Sequence, residues 1–156
     1  SVIGGRRMRV LPLAEVDYSR LPAEIPPIMS YAAKFIESSE EYKKTGVRCP
    51  AVVEPELARE IGAAALRAFR IVGGWGYGRV DIRLDAKDNP RVLEVNCNPS
   101  IEEGVALARS AEAAGISYPQ LLRLIVKAAF EGPPYDAMVP MLGARFARGA
   151  GGYAGG

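Results

Sequence analysis

Histidine is absent from these 156 residues. That removes histidine-based acid–base catalysis and histidine zinc ligation from this chain. Cysteine is scarce as well. Cys49 and Cys97 stand far apart, lack zinc spacing and are too few for a disulfide framework. They read as reduced thiols, which points to a cytoplasmic protein. Cys97 reads as a structural strand-end residue, since no base lies near it in sequence. No apolar run approaches the ~20 residues of a membrane span, so no membrane partner is expected. The net charge is only +2, which gives no nucleic-acid signal. A phosphate loop of the Gly-x-x-x-x-Gly-Lys-Ser/Thr type is missing, as is a strand-linked Gly-x-Gly-x-x-Gly. Gly73-Gly74-Trp75-Gly76-Tyr77-Gly78 reads as a helix exit leading into a strand, because no helix begins after it.

What is present is a patterned hairpin. Gly78–Asp85 and Arg91–Pro99 alternate in character around the turn formers Ala86-Lys87-Asp88-Asn89-Pro90. Pairing Leu84 with Arg91 sets Asp81 opposite Glu94 and Arg79 opposite Asn96. Alternation then places those four on one face, with Val80, Ile82, Leu84, Leu93 and Val95 on the other. Directly opposed carboxylates destabilise a strand pair. Two readings account for them. One is screening by water and by Arg79 or Arg83, which is the ordinary condition of a charged strand face. The other is a hard divalent cation held by Asp81, Glu94 and Asn96, with Arg79 on a phosphoryl oxygen.

The remaining chain is read as follows. Ser1-Val2-Ile3 turns at Gly4-Gly5 into Arg7–Leu11, and its first strand looks cut short. Residues 17–30 form a loop, since Pro26-Pro27 bars a helix. Residues 31–49 are polar and read as a solvated surface loop. Pro55 opens a helix whose apolar residues recur from Leu57 to Val72 and which stops at Gly73-Gly74. A helix is expected over 102–114, with Glu102 and Glu103 favouring its dipole. Another follows from the cap Ser117, with Leu121, Leu122, Ile125, Ala128 and Ala129 as its stripe, to Gly132. Residues 133–156, rich in Gly, Ala and Pro, are expected to be a disordered tail.

Five segments in order carry a resemblance. They are Val10–Val16 (an LP-x-x-E motif), Tyr31–Phe35 running to Cys49-Pro50-Ala51, Gly76–Asp81, Leu93–Pro99, and Ala113–Tyr118. Together they resemble the C-terminal part of D-alanine–D-alanine ligases and related ATP-grasp ligases, from about Val2 to Phe130. The resemblance implies an α+β fold: the C-terminal half of an ATP-grasp domain, an antiparallel-rich sheet with helices packed on one side and a mobile active-site loop. It implies residues 1–132 as one subdomain, preceded in the whole enzyme by an N-terminal part that completes the nucleotide cleft. It implies Mg²⁺ (or Mn²⁺) bound by Asp81, Glu94 and Asn96, and ATP as co-substrate. Arg79 would steady the transferring phosphate, and Lys34, in a lid, would reach the γ-phosphate.

The reaction so implied joins two amino acids through an acyl phosphate, giving a dipeptide for peptidoglycan precursors. Ser100 is assigned to the substrate. This chain departs from the family pattern at Phe35, where Tyr is common, at Ser100, where Gly is usual, and at Glu102-Glu103, where small residues and a carboxylate-binding serine are usual. A related ligase with another acceptor, or an inactive truncated module serving as an interaction surface, therefore stays open. So does the oligomeric state, a homodimer included.

Overall fold

The computed structural model describes residues 1–132; the tail expected over 133–156 lies outside the described residues. One sheet runs β2–β1–β5–β6, all antiparallel, from strands β1 (Val2–Gly4), β2 (Arg9–Val10), β5 (Gly76–Leu84) and β6 (Pro90–Asn96). A second sheet pairs β3 (Glu15–Asp17) with β4 (Gly46–Arg48). The helices are α1 (Tyr31–Phe35), α2 (Glu40–Lys44), α3 (Pro55–Ile71), α4 (Ala106–Ala113) and α5 (Tyr118–Glu131). Among the described residues no helix is long and apolar enough to cross a membrane.

Helices lie on both faces of the four-stranded sheet, not on one. Val2 and Ile3 are neighbours in β1, so their side chains point to opposite faces, yet both are buried. On Val2's face lies α3. Its Phe69 ring fills the space where a Cβ on Gly78 would stand, and its Gly62 lies against Val10. On Ile3's face a cluster joins Ile3 and Leu11 to Leu107 and Ala111 of α4 and Leu121 of α5, with Tyr77 packed against it. Helix α5 is also pinned by the Trp75 indole, which donates to the Ala128 carbonyl at 2.8 Å. Sequence periodicity showed that each helix has an apolar stripe. It could not show that successive helices take opposite faces.

Residues 31–49 are structured rather than a plain loop. Ser30 caps α1, accepting from Ala33 N–H at 3.1 Å. Ser39 caps α2, accepting from Tyr42 N–H at 3.1 Å, and its hydroxyl reaches back to the Ala32 carbonyl. Each side-chain oxygen satisfies a donor that a helix start leaves open. In α2, Glu40 and Glu41 lie in the first turn and Lys43 and Lys44 in the last, which suits the helix dipole. Five-residue helices are too short for periodicity to reveal, so polarity dominated the sequence reading.

Helix α4 begins at Ala106, not at Glu102. Glu102, Glu103 and Gly104 precede it as exposed loop, and Gly104 has φ +85°. The helix-dipole account of the two acids therefore fails. At α5 the expectation holds: Ser117 and Gln120 form a reciprocal capping box with Pro119 in the first turn.

The hairpin register is half as expected. Arg79 pairs with Asn96, Val80 with Val95 and Asp81 with Glu94. A bulge then intervenes, and Ile82 pairs with Val92, Arg83 with Arg91 and Leu84 with Pro90. Leu93 is the extra residue, and it is 64% exposed instead of sharing a buried face. Asp85 causes the offset. Its carboxylate accepts from the backbone N–H of Lys87 and of Asn89, at 2.9 and 3.0 Å, folding a tight turn with Asp88 at φ +59°. That turn ends one residue earlier than alternation alone suggested.

Candidate active site

Residues Tyr77, Arg79 and Asp81 alternate along one face of β5, and Glu94 and Asn96 lie opposite on β6. At the Tyr77 end this face is roofed by α4 and α5. At the far end the Arg83 guanidinium donates to the Pro27 carbonyl at 2.7 Å, which brings the 17–30 loop onto the hairpin. Tyr18 of that loop lies near Arg83; burial raises its phenol pKa while the Arg83 charge opposes the shift. Between these covers the Arg79–Asp81–Glu94–Asn96 patch stays open.

Arg79 forks onto Asp81, Nε to Oδ1 at 2.7 Å and an Nη to Oδ2 at 3.0 Å. Donation to the Asp81 carboxylate raises the Arg79 pKa; burial opposes this, and the charges of Asp81 and Glu94 add to the rise. Arg79 is therefore a fixed cation. Glu94 has no such partner among the described residues. The charged side chains of the patch are two carboxylates and one guanidinium. Asn96 accepts the Asn98 N–H on Oδ1 at 2.9 Å, and a carbonyl oxygen has a second lone pair to offer.

This donor set fits a magnesium-like cation. Such an ion takes one or two carboxylates, keeps water and fills its other positions with phosphate oxygens. Among the described residues no group of three or more His, Cys, Asp or Glu side chains is placed to hold a metal.

The other residues singled out from sequence lie elsewhere. Lys34 is exposed in the last turn of α1 and joins no ion pair among the described residues. Phe35 packs on Tyr31 with ring centroids 5.1 Å apart. Ser100 is exposed and accepts the Glu102 N–H at 3.3 Å. Cys97 is exposed just beyond β6, while Cys49 donates to the fully buried Ser110 hydroxyl at 3.8 Å.

Two features escaped sequence reasoning. Arg109 joins the loop before α4 to β4, donating to the Gly104 carbonyl at 2.6 Å and to the Val47 carbonyl at 3.1 Å. Tyr77 donates its hydroxyl to Asn98 Oδ1 at 2.6 Å. The odd-numbered alternation from Tyr77 through Asp81 was visible and could have placed Tyr77 on the site face.

Comparison with known proteins gives a consistent picture. A family model described as "D-ala D-ala ligase C-terminus" matches residues 1–127. The D-alanine–D-alanine ligase of Haemophilus influenzae (strain PittEE) is 36% identical over 121 residues, covering 75% of this chain and 39% of that protein. The enzyme of the same name from Nitrosococcus oceani is 30% identical over 123 residues, covering 79% and 35%. The chain therefore spans little more than a third of the length of these relatives. Among solved structures, a D-alanine–D-alanine ligase from Bacillus anthracis complexed with ATP superposes with a TM-score of 0.63 at 22% identity, covering 86% of this chain and 38% of that one. A D-Ala:D-Ser ligase from Enterococcus faecalis gives 0.61 at 20% identity, covering 81% and 34%. At that identity these likenesses speak for the fold.

Proposed function

The chain belongs to the D-ala D-ala ligase C-terminus family, and we propose that it forms the metal- and phosphate-facing wall of an ATP-dependent carboxylate–amine ligase. The observation that carries this is the register of the β5–β6 ladder. It opposes Asp81 to Glu94 and Arg79 to Asn96 on a face that neighbouring elements leave open. Residues 1–132 act as one subdomain, and the rest of the nucleotide cleft comes from sequence corresponding to the longer relatives.

In this reading Asp81, Glu94 and Asn96 hold Mg²⁺ (or Mn²⁺), which when bound neutralises phosphate charge in ATP. Arg79 keeps a permanent positive charge beside the transferring phosphoryl group. Part of its fork on Asp81 is surrendered when phosphate oxygens arrive, since guanidinium matches either oxyanion pair. One substrate carboxylate takes the γ-phosphoryl group, giving an acyl phosphate and ADP. The amine of a second amino acid then attacks the acyl carbon, phosphate departs, and the amine loses a proton. The wall's contribution is charge neutralisation and positioning, with no protein nucleophile. Lys34 and the α1–α2 segment serve as the lid that closes on the γ-phosphate. Ser100 faces substrate, and the product is a D-Ala–D-Ala-type dipeptide made in the cytoplasm for cell-wall precursors.

A second reading concerns the acceptor alone. Glu102 and Glu103 stand free in an exposed loop next to Ser100, and two acids there repel an acceptor carboxylate. An acceptor other than D-alanine follows if they line its site.

The test is ATP-dependent phosphate release by the chain within a protein of the relatives' full length. D- and L-amino acids and D-lactate would be offered as acceptors. D81N and E94Q should each lower kcat by about 10²–10³, the usual scale for losing a charge-stabilising group. Near-normal turnover in both variants would sink the metal assignment, and turnover with D-lactate but not D-alanine would decide for the second reading.

A further inference from the structure

We infer that Tyr77 is a positioning residue that sets which way the Asn96 amide oxygen points. The inference rests on the proposed role of Asn96 as a cation ligand and adds how that ligand is held.

Strand pairing stops at Asn96, so the ladder itself does not hold Asn98. The turn is held instead by two hydrogen bonds in series. The Tyr77 hydroxyl donates to Asn98 Oδ1 at 2.6 Å, and the Asn98 N–H donates to Asn96 Oδ1 at 2.9 Å. Tyr77 is a firm anchor for this chain of bonds. Its backbone pairs with Ile3, and its ring packs against the buried cluster of Ile3, Leu11, Leu107 and Leu121. A core-packed ring thus reaches the open face through its polar tip.

The consequence lies in the chemistry of an asparagine amide. One end is a carbonyl oxygen that accepts, and the other is an NH₂ that only donates. A rotation of half a turn exchanges them. With Asn98 N–H on Oδ1, one lone pair of Asn96 is occupied and the amide is fixed with its oxygen defined. Without Tyr77, Asn98 is free to leave, and the Asn96 amide then samples orientations that present NH₂ toward two carboxylates. An NH₂ group cannot ligate a cation.

The experiment uses the ¹⁵N-labelled 156-residue chain, with Y77F and N98A. Y77F keeps the ring and removes only the hydroxyl. The first readout needs no metal: hydrogen exchange of the Asn98 backbone amide, expected about fivefold faster in Y77F, the factor one hydrogen bond commonly supplies. The second is paramagnetic broadening by Mn²⁺. In the wild-type chain it should reach the Asp81 and Glu94 backbone amides and the Asn96 side-chain amide. In Y77F it should persist at Asp81 and Glu94 and fall at Asn96. N98A should show the same fall, and the double variant should be no worse than N98A alone.

Unchanged exchange and unchanged Asn96 broadening in Y77F would overturn the inference, even if the variant melts earlier. So would additive losses in the double variant. Absence of broadening at Asp81 and Glu94 in the wild type shows that this wall alone does not hold Mn²⁺, and the exchange measurement then decides whether Tyr77 fixes Asn96.

Discussion

Asp81 stands directly opposite Glu94, and among the described residues only Asp81 of the two is answered by a guanidinium, that of Arg79. The two acids therefore differ in what they do for the fold. E94Q removes a repulsion and should leave stability unchanged or slightly raised. D81N removes the charge and one of the two acceptors of the Arg79 fork and should lower it. Both effects should stay within about 0.5 kcal/mol, because partly exposed pairs are screened. Urea denaturation of the isolated chain measures them. A clear loss of stability in E94Q would show that Glu94 has a structural partner.

The contact of Phe69 with Gly78 predicts a larger effect. A methyl at Gly78 overlaps the Phe69 ring, and Phe69 is fully buried. G78A should cost about 1–3 kcal/mol by overpacking, and F69A about 3–5 kcal/mol by the cavity it leaves. Thermal melts followed by circular dichroism would read both.

Asp85 sets a pH dependence in the hairpin turn. Hydrogen bonds from Arg91, then from the Asn89 and Lys87 backbone, hold its carboxyl well below the ordinary aspartate value of 3.8. A depressed folded-state pKa adds stability that is fully present above the unfolded value. It is lost as pH falls below that value toward the folded one. Turn resonances of Lys87 to Asn89 should therefore stay native at neutral pH and shift only below about pH 4. D85N keeps an acceptor for the turn but loses the charge paired with Arg91, so it should loosen the turn at neutral pH and abolish that acid transition.

Arg109 predicts a mechanical link. Its two hydrogen bonds tie the loop before α4 to β4. R109A should leave α4 helical yet speed proteolytic cleavage within residues 100–105 and 45–49. Unchanged cleavage at both places would show that the contact holds neither.

Much of this architecture was legible. Asp81 does stand opposite Glu94, but the pair expected to set it, Leu84 with Arg91, is one residue off (Leu84 pairs with Pro90), and the bulge at Leu93 restores the register. The helices α3 and α5 followed from apolar recurrence and from Pro55, Ser117 and Pro119. The rest failed for local reasons. The bulge came from a side chain, Asp85, that folds the turn more tightly than counting residues implies. Helices α1 and α2 are a single turn each, and their evidence was two serine caps rather than a period. Tyr77 was hidden because an aromatic in a strand looks like core, and here it is core at the ring and site at the hydroxyl.

The bulge at Leu93 has a bearing on how this hairpin tolerates change. It separates a proximal half, braced by β1 and α3, from a distal half held by the Asp85–Arg91 pair, the turn and the contact of Arg83 with the 17–30 loop. A residue gained or lost between Ala86 and Asn89 can be absorbed by making or erasing a bulge. The opposition of Asp81 to Glu94 then survives. A change of length at the tip thus leaves the open face in register, while an insertion from Tyr77 to Asp81 or from Glu94 to Asn98 would break the pairing that builds it.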